Sequence, residues 1–99
     1  MADQQYRDSL PPPVGWEIQH VHKSKFQLVN VGTETATGVT LNPSGVPLIR
    51  QPPQDVTIRG NGGYVEFLMA GSNDGPIPTE IEVSWDGPGS PAIVPVQKL

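Results

Sequence analysis

The sequence contains no cysteine among its 99 residues. Disulfide staples, thiol catalysis and cysteine-ligated zinc are therefore excluded. No apolar run approaches the roughly 18 residues of a membrane-spanning helix. No segment longer than about ten residues repeats its apolar positions at helical spacing. Positive charge is also scarce, with 6 Lys and Arg against 10 Asp and Glu and a formal net charge of −4. The first fifty residues balance, with Arg7, Lys23, Lys25 and Arg50 against Asp3, Asp8, Glu17 and Glu34. The remainder sets Arg59 and Lys98 against Asp55, Glu66, Asp74, Glu80, Glu82 and Asp86, and so carries the whole deficit. A nucleic-acid partner needs a basic stripe to neutralise phosphates, and an anionic membrane needs the same. Neither partner is expected. The first eight residues show no basic n-region and no apolar h-region, so no signal peptide is read there. With Met1 as the native start, that reading and the lack of cysteine favour the cytoplasm over secretion.

What the chain does have is punctuation. Eleven glycines and twelve prolines separate short runs that alternate apolar and polar residues. Residues 1–14 read as a flexible tail ending in Pro11-Pro12-Pro13, and residues 15–99 as one domain. Within that domain Trp16 and Ile18 share a face, as do Phe26 and Leu28, Val39 and Leu41, Val56 and Ile58. Val65, Phe67 and Met69 follow after the turn Gly60-Asn61-Gly62-Gly63. Ile81, Val83 and Trp85 alternate with Glu80, Glu82 and Ser84, the clearest half-buried strand of the chain. Ala92, Val94 and Val96 close the domain. Pro47 and Pro95 place the runs Val46–Arg50 and Ala92–Val96 at exposed sheet edges, because proline cannot donate to a ladder. Short strands at regular spacing with turn signals predict an all-β, antiparallel sandwich of about seven strands with Greek-key connections.

The run Asn30-Val31-Gly32-Thr33-Glu34-Thr35-Ala36-Thr37-Gly38-Val39 joins two of these strands across a corner. Together with Leu28-Val29 before it and Thr40-Leu41 after it, the run resembles the Asn-x-Gly-Thr corner of bacterial immunoglobulin-like domains of the CARDB type. The later Gly62-Gly63-Tyr64-Val65-Glu66-Phe67 fits that pattern. Residues 16–97 also resemble small immunoglobulin-like proteins of actinobacteria, through Trp16-Glu17-Ile18, Phe67-Leu68-Met69 and Ser84-Trp85-Asp86-Gly87. The resemblance implies an immunoglobulin-like sandwich and no catalytic residue. The chain lacks the cysteine pair of antibody domains.

Asn30, Gly32 and Gly38 form the structural corner, with the Asn30 amide expected to be buried and to cap backbone N–H groups of the loop. His20 and His22 share a strand face about 7 Å apart, yet no third ligand stands at a recognisable spacing, so no metal or cofactor is expected. Ser72-Asn73-Asp74-Gly75 lacks the acidic positions of a calcium loop. Glu80 and Glu82 present an acidic stripe, extended by Asp86, that reads first as a solvated face and second as an interaction surface for a basic partner. Tyr64 and Leu68 point outward and form the best apolar surface candidate. The expected role is a non-enzymatic module for protein–protein interaction or spacing within a larger assembly, with strand addition at the Val46–Arg50 or Ala92–Val96 edge. The alternatives are a structural accessory of a virion or cell surface and, with least support, an enzyme or weak metal binder.

Overall fold

The computed structural model describes residues 13–46, 48–71, 76–87 and 91–97. The fold is all-β, with eight strands among these residues: β1 Trp16–His22, β2 Lys25–Asn30, β3 Ala36–Leu41, β4 Leu48–Arg50, β5 Val56–Ile58, β6 Gly63–Ala70, β7 Glu80–Ser84 and β8 Ala92–Gln97. They join in one mixed sheet, in the order β4-β6-β2-β1-β8-β7-β3-β5, curled as a half-barrel. The alternation rule explains its inner face. Ile18, Phe26, Leu28, Phe67 and Met69 from one half meet Val39, Leu41, Ile58, Ile81, Val83 and Val94 from the other in a single buried cluster. Each of these is an every-other-residue position on its strand, as a half-buried sheet requires. At about 1.5–3 kcal/mol per fully buried aliphatic or Phe side chain, this cluster is the main source of stability.

The two halves of the sheet meet at β1 and β8, which run parallel rather than antiparallel and pair only at Ile18 with Val96 and Gln19 with Gln97. The ladder begins beyond Pro95, which has no N–H to offer. Ala92–Val96 is therefore not a sheet edge, as its proline suggests from sequence. β8 lies inside the sheet, with β7 antiparallel on its other side. Above this seam Trp16 packs edge-on against Trp85, ring centroids 5.6 Å apart at 68°. Trp16 Nε1 is buried without a hydrogen-bond partner among the described residues.

The connection from β5 to β6 crosses from one half to the other, since β5 pairs with β3 and β6 with β2. Both central residues of its turn, Asn61 and Gly62, have positive φ, 59° and 96°. Asn and Gly are the residues that tolerate this region at least cost.

Candidate functional site

Strand β2 has two contrasting ends. At its C-terminal end Asn30 is fully buried (0% exposed), the sole buried polar or charged residue among those described. Its amide is fully used. Oδ1 accepts from Gly32 N at 3.0 Å and from Gly15 N at 3.5 Å. Nδ2 donates to Glu34 O at 2.8 Å and to Ile58 O at 3.2 Å. One side chain thus ties the entry to β1, the corner and the end of β5 together. Backbone bonds complete the knot: Asn61 N donates to Gly32 O (2.6 Å), Gly62 N to Asn30 O (2.8 Å) and Glu34 N to Pro13 O (2.8 Å). Pro13 and Val14, read from sequence as the end of the tail, are therefore fastened to the corner. They lie so close to Gly32 that a Cβ there would stand 2.6 Å from Val14 Cα. Gly38, at φ 62°, faces the Asp86 carboxylate, and Asp86 accepts from Thr37 Oγ1 at 2.9 Å.

At the other end β2 opens. The β1–β2 turn is Lys23-Ser24, with Lys23 at φ 49°, and the ladder shifts register between His20 and His22. That irregularity separates the histidines. His20 stacks on Phe26 (4.4 Å, 11°) and its Nε2 hydrogen-bonds with Lys23 O, whereas His22 is exposed. Their shared face, expected from spacing, is absent. No group of three or more His, Cys, Asp or Glu is gathered as a metal set among the described residues.

Beside this turn lies a groove of about 340 Å³, lined by Ser24, Leu48, Ile49, Arg50, Leu68, Met69 and Ala70. Its rim is β4, the first strand in the sheet order, paired with β6 and with no second partner among the described residues. Ile49 turns inward onto the core, while Leu48 and Arg50 point out, Leu48 at 56% exposed. The pairings Arg50 with Leu68 and Leu68 with Lys25 set these three side chains in one cross-strand row. Among the described residues no carboxylate lines the groove. The nearest acid along β6, Glu66, lies 3.9 Å from Lys25. Gln51, immediately after β4, also has positive φ (55°), so strained backbone flanks the groove on both sides. Such strain collects at sites where surrounding structure has to hold a particular geometry.

The surface residues singled out from sequence separate. Tyr64 is exposed and Leu68 half-buried on the same face of β6, with Glu66 between them. Leu68 joins the groove; Tyr64 instead opposes Val29, which is only 8% exposed. Glu80 and Glu82 lie on β7, four strands away in the sheet order. Glu82 accepts from Asn42 Nδ2 at 2.9 Å, so part of the acidic stripe is engaged internally. Sequence reasoning marked Val46–Arg50 as an edge but missed Ser24, Leu48 and Arg50 as members of one site. The outward alternation of Leu48 and Arg50 beside a proline was the available signal. Ser72-Asn73-Asp74-Gly75 lies outside the described residues.

Comparison with protein-family models, curated proteins and solved structures gives no match.

Proposed function

We propose that this chain is a non-enzymatic immunoglobulin-like sandwich module that binds protein by strand addition at β4. The sandwich reading is supported by the seam. Two antiparallel four-stranded halves, β4-β6-β2-β1 and β8-β7-β3-β5, are held together by two residue pairs and turn their apolar faces onto one core. The binding reading rests on one observation: a strand whose second edge has no partner among the described residues borders an apolar-floored groove. An unpaired strand edge offers a row of N–H and C=O groups to an extended segment, and an adjacent groove can receive alternate side chains. The test is selection of displayed random dodecapeptides on the immobilised full chain, followed by amide chemical-shift mapping of the most enriched peptide. Shifts at Ser24, Leu48–Arg50 and Leu68–Ala70 are expected. Shifts confined to other strands, or no enrichment over an empty surface, would overturn the reading.

A further inference from the structure

We infer that the partner segment at β4 is acidic, an extended stretch in which aliphatic residues alternate with Asp or Glu; this rests on the strand-addition reading above. The charge distribution points there. The chain as a whole is acidic, at −4, yet this corner is not. Arg50 lines the groove, Lys25 sits in the same cross-strand row beyond Leu68, and Lys23 forms the turn with the groove residue Ser24. Among the described residues the one acid paired with any of these cations is Glu66, 3.9 Å from Lys25, and it is not a groove residue. Neighbouring strands lie about 4.8 Å apart, so the row Arg50–Leu68–Lys25 spans about 10 Å. An apolar patch of Leu48, Leu68 and Ala70 is thereby flanked by positive charge on two sides.

In a strand added along β4, alternate side chains fall on opposite faces: one set joins the face of Leu48, Arg50 and Leu68, the other the face of Ile49 and Met69. Aliphatic residues on the side of Ile49 and Met69 would leave the intervening carboxylates on the face of Arg50, within reach of its guanidinium. Arginine takes a carboxylate through two parallel N–H donors, which also fixes the register of the added strand. A second copy of this chain fits less well. Pairing β4 with its own symmetry mate would bring two sets of Lys23, Lys25 and Arg50 to one seam, and like charges brought together disfavour a pairing.

The same selection decides the matter. Peptides that map to β4 should be rich in Asp and Glu and poor in Lys and Arg. Peptides that map to β4 but are neutral or basic would overturn the acidic preference while leaving strand addition standing; peptides mapping elsewhere would overturn both. As a second arm, the selected acidic peptide is titrated against the wild type and the double variant Lys23→Glu, Arg50→Glu. We expect about tenfold weaker binding at low salt, with the difference shrinking at high salt as screening sets in. Equal affinity for the two proteins would overturn the charge assignment. Both substituted side chains are exposed, and an unchanged thermal midpoint of the variant confirms that it is folded.

Discussion

The two ends of the six-residue strand β2 solve opposite problems. At the Asn30 end every capacity of a buried amide is met, four chain segments converge, and glycines leave no room for a side chain. At the Lys25 end the backbone is strained, a strand edge has no partner among the described residues and apolar side chains stand in solvent. The contrast teaches where stability and recognition are kept. Burial with full hydrogen bonding fixes a fold, because an unsatisfied buried group is costly. An open edge with exposed aliphatics contributes little to the fold and leaves binding capacity in reserve.

Substitutions should separate the ends by magnitude. Asn30→Ala is expected to cost about 3 kcal/mol, because it orphans donors and acceptors on three segments at once. Urea unfolding should show a lower midpoint at an unchanged slope. A loss below about 0.5 kcal/mol would erase the distinction between the ends. Asn30→Asp keeps the shape but removes the donors to Glu34 O and Ile58 O, so at neutral pH it should be at least as damaging. Gly63→Ala comes next, at about 2 kcal/mol, since its Cβ would press on the Arg59 carbonyl. Lys23→Gly should act in the opposite direction. It relieves the positive φ and is expected to raise stability by up to about 1 kcal/mol while weakening any acidic ligand. At the open end Leu48→Ser should leave stability within about 0.5 kcal/mol and yet reduce peptide binding in the same titration. The smallest effect is expected for Lys25→Ala. Its ion pair with Glu66 is 3.9 Å long with both side chains about half exposed (48% and 46%), so solvent screening leaves at most a few tenths of a kcal/mol.

The same contrast governs what could be read in advance. The burial of Asn30 was legible because two of its four partners are local: Gly32 and Glu34 lie within four residues, and an Asn before a glycine corner has few other uses. Its bond to Ile58 O, 28 residues away, had no sequence signal. Strand phases were legible for a similar reason, since alternation is a property of consecutive residues, and Ile81, Val83, Phe67 and Met69 all face inward as their pattern predicts. The groove was hidden because it gathers Ser24, Leu48–Arg50 and Leu68–Ala70 from three separate stretches. Nothing in local alternation says that β4 pairs with β6. Pro95 misled for the converse reason. It blocks one ladder bond, and the chain accommodates that by starting the β1 ladder one residue later, not by leaving β8 at an edge.

The Asn61-Gly62 turn also sets how the molecule ages. In an Asn-Gly pair the glycine amide nitrogen can attack the asparagine side-chain carbonyl, expel ammonia and leave a succinimide that opens to aspartate or isoaspartate, which is why asparagine counts as a thermolabile residue. Here that nitrogen is committed to Asn30 O at 2.8 Å, and the Asn61 backbone is pinned to Gly32 O. Reaction therefore waits for the knot to open. Each molecule that has gained one mass unit at Asn61 records time spent with its corner undone, so slow storage of the protein becomes a clock for local unfolding.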